Sequence, residues 1–509
     1  MTRGAFLRRR TMNIAIKHVF VLMLENRSLD HMLGFSGITG TDAVTSQSTK
    51  IEGLTGNESN SGFKVSQPAD WLMPVDPCHE FLCVLEQLCG PNKPYVKGGA
   101  YPAVNCSGFV SNYINNGGAS NPGEIMKCYS ASQLPVLNAL AQEFVVCDNW
   151  FASMPGPTWP NRYFVHAASS GGLDHSPSNE DIFKWFAAGA PIKNGTIFDK
   201  LHKASQQWHI YRGDEFPQSL SLHGVHFLTK TTPLRDFQKA VNSTTKPYKY
   251  AYTFIEPNYG DVLNNSYLRG TSQHPLDNVV CGEYVIKYVY ESIRSSPIWG
   301  NSLLIVTWDE HGGFYDHQHP GSTVGPGDNS TTSPLNKYGF TFQQLGVRVP
   351  AVVVSPMIPR NLIDHRTYDH SSVPATVESI FGLTAITKRD AQANNLSNLV
   401  TLPTPRMTPK TLPAPASAGG QCPFPGPSKV MAAPPPAPHL MLRPLDPPSE
   451  GNLPGFLDIV RKVDQELSPT LMQADAAAKH LVSTTTRVAA AAYIEEVRAK
   501  ARVAEAMSE

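Results

Sequence analysis

Apolar residues in this chain come in short, nearly unbroken runs separated by long polar stretches. Residues 17–24, KHVFVLML, show almost no polar alternation, the pattern of a strand buried on both faces of a parallel sheet. Phe144 to Cys147, Thr253 to Ile255, Ser302 to Thr307 (SLLIVT) and Ala351 to Val354 read the same way. Between them, apolar spacing predicts helices over residues 79–88, ending near Leu140, over 161–168, from Val279 to about Ser295, and over 371–381, the last closed by Gly382. Strands separated by helices and loops indicate an α/β protein, a three-layer α/β/α sandwich with a mainly parallel sheet.

Residues 34–65 and 90–130 are rich in Gly, Ser, Asn and Pro and read as loops. After about residue 400 the texture changes. Residues 402–448 are crowded with proline and alanine, and helical periodicity returns over 452–507. The expected organisation is a main domain over 12–400 with a cysteine-containing insertion at about 66–130. A Pro-rich linker over 401–450 and a helical extension over 451–509 follow. The extension is amphipathic and is expected to pack on the main domain or to mediate oligomerisation.

Charge narrows the classes. Lys plus Arg and Asp plus Glu are 42 each, so nothing calls for a nucleic-acid partner. No run of 18 apolar residues occurs, and no transmembrane segment is expected. Arg8-Arg9-Arg10 looks like the start of an export signal, but the next apolar run is short and leads straight into Glu25-Asn26. That run is therefore read as the first strand. Secreted, periplasmic and cytoplasmic locations all stay open. Six of eight cysteines fall between Cys78 and Cys147. Cys78, Cys83 and Cys89 suit either a local disulfide or thiols, whereas Cys147 and Cys281 read as buried free thiols.

In parallel α/β sheets, sites form beyond the carboxyl ends of the strands. Glu25-Asn26 follows the first strand, and Asp309-Glu310 follows SLLIVT with only Trp308 between. Acidic pairs at matching strand ends repel unless a cation lies between them, so one divalent metal ion or more is expected there, with Asn26 as a neutral ligand or a donor to substrate. Calcium, magnesium, manganese and iron all suit oxygen ligands. Thr158 precedes a helix start at Pro160, as a helix cap or as a nucleophile beside unpaired amides. Asn161 and Arg162, one turn on, are candidates to touch a phosphoryl group, Arg162 equally a surface ion-pair residue. His79, His274 and His370 stand in loops just before predicted helices and supply candidate acid–base groups. His317 is read as orienting a carboxylate, with ligand and surface roles as alternatives.

Four ordered motifs carry a resemblance: Glu25 to His31 (ENRSLDH), Pro157 to Arg162 (PTWPNR), Thr307 to His317 (TWDEHGGFYDH), and Arg348 to Pro356 with Tyr368 to Ser372. Over residues 17–385 the chain resembles the phosphoesterase family of bacterial and plant non-specific phospholipases C and acid phosphatases, related in fold to alkaline phosphatase. The resemblance implies that Glu25, Asn26, Asp309 and Glu310 hold the catalytic metal and that Thr158 attacks phosphorus. It implies that His79, His274 and His370 bind phosphoryl oxygens or shuttle protons. It further implies phospholipase C-like cleavage of a glycerophospholipid, with a broad phosphomonoesterase as the alternative. A sulfatase motif is not evident around Thr158. Trp159, Leu29 and Met32 depart from the family pattern and bear on the pocket rim.

Overall fold

A computed structural model describes residues 16–178, 180–181, 192–417, 422, 452–468 and 486–508. The leader with Arg8-Arg9-Arg10, and most of the Pro-rich segment after residue 417, lie outside the described residues.

Among the described residues the largest sheet has ten strands. From edge to edge they are Ser48–Lys50, Thr39–Asp42, Leu362–Asp364, Val145–Cys147, Ala351–Val354, Ser302–Trp308, His18–Leu24, Tyr252–Glu256, Trp208–Arg212 and Thr231–Pro233. The sheet is mainly parallel. The antiparallel members are Ser48–Lys50 at one edge and Ala351–Val354, which runs against both its neighbours. Val19 to Leu24 are all fully buried. A strand with no exposed position needs cover on both faces, which is why its sequence shows no alternation.

Helices supply that cover. Pro135–Glu143 and Val279–Arg294 pack on each other and on the central strands. Thr158–Ala167 packs with Ser372–Phe381 and Ile197–Lys203. The buried Glu283 carboxylate accepts from the amides of Val136 and Leu137, each at 2.8 Å, and so satisfies the orphan donors at the start of Pro135–Glu143. The Ser372–Phe381 helix ends on Gly382 at φ 67°, a left-handed cap.

Several expectations need correction. Residues 34–65 include two polar strands of the large sheet and a small hairpin, Ser59–Asn60 with Phe63–Lys64. The stretch 90–130 contains the helix Phe109–Asn115. Cys281 is not a free thiol but is bonded to Cys422. Cys78 pairs with Cys83, while Cys89 and Cys147 are buried thiols.

The C-terminal helices Leu453–Leu467 and Arg487–Ser508 pack on each other and on the body of the protein. Lys462 Nζ donates to the carbonyls of Leu220, Leu222 and Val225. Arg212 pairs with Glu505 and Arg498 with Glu215. Among the described residues, no helix is long and apolar enough to cross a membrane.

Candidate active site

His18–Leu24 and Ser302–Trp308 are adjacent and parallel, with Leu24 opposite Trp308. The residues that follow each strand therefore emerge together at one edge. Asn26 turns in the left-handed region at φ 60°, a conformation that asparagine tolerates better than most side chains. Gly312, at φ 63°, lies against it. A Cβ there would stand 2.2 Å from the Asn26 carbonyl oxygen, so only glycine lets the two turns meet.

Asp309 is the hub. Its Oδ1 accepts from the amides of Asn26 at 3.0 Å and Glu310 at 2.8 Å. Its Oδ2 accepts from Arg162 Nε at 2.9 Å, and Arg162 Nη2 reaches the Leu24 carbonyl at 3.0 Å and Glu25 Oε1 at 4.0 Å. Glu310 Oε2 accepts from the Gly312 amide at 2.7 Å. Thr158 is the first residue of its helix, and Pro157 holds the cap position. The threonine hydroxyl therefore does not cap.

Several buried polar atoms are left unpaired here. Glu25 Oε2, Asn26 Oδ1, Thr158 Oγ1, Glu310 Oε1 and Arg162 Nη1 are all buried, and none has a hydrogen-bond partner among the described residues. Buried polar groups are nearly always paired, so these four oxygens and the guanidinium nitrogen are candidates to take a ligand. Carboxylate, amide and hydroxyl oxygens suit a hard divalent cation, and the guanidinium suits a phosphoryl oxygen.

The electrostatics agree with that reading. Burial, reinforced by Asp309, holds the Glu25 carboxyl well above the usual carboxylate range despite Arg162. Burial also raises Asp309, which Arg162 partly offsets. Burial pulls His79 down, but the Glu310 and Asp76 carboxylates outweigh it and raise the imidazole to about 9. His79 Nε2 lies 3.4 Å from Asn26 Nδ2. His274 faces it with ring centroids 6.2 Å apart. The Leu276 amide donates to His274 Nδ1 at 3.3 Å, which leaves the ring proton on Nε2, 3.8 Å from Asp76 Oδ2.

Other candidates stand apart from these open groups. His370 spends both nitrogens internally, Nδ1 accepting from Trp150 at 3.2 Å and Nε2 lying 2.6 Å from the Asp309 carbonyl. It steadies Asp309. Asn161 is consumed by the Met154, Gly156 and Pro157 backbone and shapes the turn before Thr158. His317 Nδ1 lies 2.7 Å from Asp30, in a group with Asp316 that has the spacing of a metal site. Arg348 already occupies that role, with contacts of 2.8 Å to Asp30 and 3.1 Å to Asp316.

Sequence reasoning missed Asp76, whose carboxyl burial raises to about 6, although it stands only three residues before His79. It also missed Tyr267, stacked on His274 at 3.5 Å between centroids.

The model of the phosphoesterase family matches residues 16–384. The chain belongs to that family. It is 35% identical over 416 residues to non-specific phospholipase C3 of Arabidopsis thaliana, covering 78% of this chain and 76% of that one. It is 37% identical over 418 residues to non-specific phospholipase C6 of the same plant, covering 78% and 75%. Phospholipase C B of Mycobacterium tuberculosis is 26% identical over 411 residues, covering 72% and 74%. Among solved structures, murine ectonucleotide pyrophosphatase/phosphodiesterase 5 superposes with a TM-score of 0.33 at 12% identity, covering 53% of this chain and 95% of that one. A protein of the alkaline phosphatase superfamily from Vibrio parahaemolyticus gives 0.31 at 13%, covering 52% and 65%. As a member of the phosphoesterase family, this chain is a phosphoric ester hydrolase.

Proposed function

We propose that this hydrolase is a metal-dependent, phospholipase C-like enzyme that cuts a glycerophospholipid on the diacylglycerol side of the phosphate, with Thr158 as nucleophile. The observation that carries the reading is the set of buried, unpaired groups that follow the strands His18–Leu24 and Ser302–Trp308 or lie on the helix Thr158–Ala167: Glu25 Oε2, Asn26 Oδ1, Glu310 Oε1, Thr158 Oγ1 and Arg162 Nη1. Glu25, Asn26 and Glu310 would hold the cation, with Asp309 aligned beside them. Bound there, a divalent ion supplies positive charge for the phosphoryl oxygens and lowers the pKa of the threonine hydroxyl.

The chain's own residues do the rest. Arg162 Nη1 and the amides of the first helical turn bind phosphoryl oxygens. Thr158 Oγ1, ionised before attack, forms a bond to phosphorus as the bond to the glycerol oxygen breaks, and it departs again as the alkoxide when water attacks. His79, raised to about 9, carries a proton at neutral pH and gives it to the leaving alkoxide. Neutral His79 then takes a proton from the water that releases the phosphorylated head group. His274 and Asp76 hold the proton economy of that wall, since they face His79.

Two features favour lipid over a small monoester. The similar proteins are named phospholipases C. Exposed Leu72 and Leu268 stand on loops beside Pro275 and Tyr267, and exposed Leu82 stands in the first turn of the Phe81–Cys89 helix, three residues after His79. These residues offer an apolar rim, whereas the segments 34–65 and 90–130 bear only scattered exposed Val44, Phe63, Val96 and Ile114.

The test compares phosphatidylcholine vesicles with a simple phosphomonoester, using wild type, Thr158→Ala and chelator-treated protein. Diacylglycerol release by wild type, reduced at least about a thousandfold by either treatment, is the expected result. Full activity of Thr158→Ala rejects the nucleophile, and turnover of the monoester alone rejects the lipid reading in favour of an acid phosphatase.

A further inference from the structure

We propose that Asn452, far outside the matched family region, is a positioning residue that locks the nucleophile turn to the His274 wall. The inference rests on the reading of Thr158 and His274 above. Asn452 is buried and immediately precedes the Leu453–Leu467 helix. Its Oδ1 accepts from Trp159 Nε1 at 2.9 Å, and its Nδ2 donates to the Tyr267 hydroxyl at 2.7 Å. An indole N–H only donates, so the amide has one usable orientation, and that orientation leaves Nδ2 for Tyr267.

Each partner touches the site. Trp159 follows Thr158 in the first turn of the helix. Tyr267 lies flat on His274, with ring centroids 3.5 Å apart and planes 10° apart. One side chain thus connects the backbone that carries the hydroxyl to the ring that faces His79. Without that amide, a buried indole N–H and a buried phenol would each lose this hydrogen bond, and the link between the two rings would be gone.

The rest of the segment is shaped for the same contact. A Cβ on Gly455 would stand 2.4 Å from Trp159 Cζ2, so the indole needs bare backbone there. Phe456 packs edge-on against Trp159 at 5.8 Å and Tyr259 at 5.7 Å. The Arg162 guanidinium lies over the Tyr259 ring, 5.2 Å from its centroid. Residues 452–456 therefore reach the immediate neighbours of Thr158, His274 and Arg162. The family model ends at residue 384, so this wall is supplied from outside it.

The decisive variant is Asn452→Leu, which keeps the branched side-chain skeleton, with more bulk, and removes both hydrogen bonds. On the best-cleaved phosphoester, kcat is expected to fall at least about tenfold with KM within about twofold, because alignment rather than substrate contact is lost. In a Trp159→Phe/Tyr267→Phe background, adding Asn452→Leu is expected to change kcat by less than about twofold, since both contacts are already gone. The Trp159 indole N–H resonance should shift and exchange faster in Asn452→Leu. Wild-type kcat in Asn452→Leu overturns the proposal, and so does an undiminished loss in the double-phenylalanine background. If Asn452→Leu fails to fold, Tyr267→Phe leaves the C-terminal segment untouched and should still lower kcat at least about threefold. Wild-type kcat in that variant overturns the proposal. Wild type that cleaves no phosphoester removes the proposed function and this inference together, whereas an active wild type with an equally active Asn452→Leu removes only the inference.

Discussion

The unpaired oxygens around Thr158 make a quantitative prediction about cation binding. Glu25, Asp309 and Glu310 are three buried carboxylates, faced by Arg162 and His79. At the 4.0 Å between Arg162 Nη2 and Glu25 Oε1, the attraction is about 4 kcal/mol for an effective dielectric of about 20. Burying an ion costs several kcal/mol, and Asp309 adds repulsion. Without a cation the balance leaves a proton on the Glu25–Asp309 pair at neutral pH. A divalent ion needs the carboxylate and must displace that proton. Titration calorimetry of chelator-treated protein with calcium, magnesium, manganese or ferrous iron, in two buffers of different ionisation enthalpy, should show about one proton released per ion at pH 7. Affinity should strengthen about tenfold per pH unit until the pair has ionised. Glu25→Gln should abolish the proton release and weaken binding at least about tenfold. The sign for stability follows from the raised carboxyl: the metal-free protein loses stability as pH climbs above the ordinary carboxylate range near 4.5. Cation at a hundred times its Kd should restore about 2.7 kcal/mol. Binding that is independent of pH from 6 to about 8, with no proton released, would refute the reasoning.

Three further predictions concern the frame around the site. Gly312→Ala puts a Cβ against the Asn26 carbonyl and should cost about a hundredfold in kcat by displacing Asn26, with wild-type folding judged by circular dichroism. Arg348→Met leaves Asp30 and Asp316 facing each other without their buried cation. It should destabilise by about 3–5 kcal/mol in urea titrations, and by less at pH 5, below the value of about 6 to which burial raises the Asp316 carboxyl. His175 bridges Asp174 and Asp181 at 2.9 and 2.8 Å; burial pulls it down, and the two carboxylates more than compensate to raise it to about 9. Its contribution, of order 3 kcal/mol, is complete below about pH 6.5 and lost as pH rises through about 9, and His175→Gln should flatten that part of the stability profile.

How much of this could be read from the sequence depended on where each partner is encoded. The central strands were legible because a doubly covered strand leaves no polar position, and KHVFVLML has none between Val19 and Leu24. The edge strand Ser48–Lys50 and its neighbour Thr39–Asp42 were not, since neither has a buried position and such strands tolerate Thr, Gly, Asp, Ser and Lys, their pairing being made by backbone alone. Trp208–Arg212 was missed because it is five residues long amid irregular chain, and Leu362–Asp364 because it has only three. Glu25-Asn26 and Asp309-Glu310 could be placed together from sequence, because two adjacent parallel strands in register deliver their next residues to one edge.

Thr158 is the instructive intermediate. Its position before Pro160 suits a cap as well as a nucleophile, and only the hydrogen-bond pattern separates the two. A capping hydroxyl would accept from an amide of its first turn, whereas this one is buried, sits one residue past the cap position, and accepts nothing among the described residues. Asn452 lies at the far extreme. Its bond to Trp159 joins residues 293 positions apart, and no local periodicity, turn signal or charge pattern prepares it. An asparagine before a helix is most simply a cap by the rules of sequence, yet here its side chain makes no capping bond and serves two aromatic groups instead. Hydrogen-bond completeness therefore carries information that sequence patterning cannot. It is satisfied on Asp309, Asn161, His370 and Asn452, and is left open on Glu25, Asn26, Thr158, Glu310 and Arg162, which is the distinction on which the proposed roles of these residues rest.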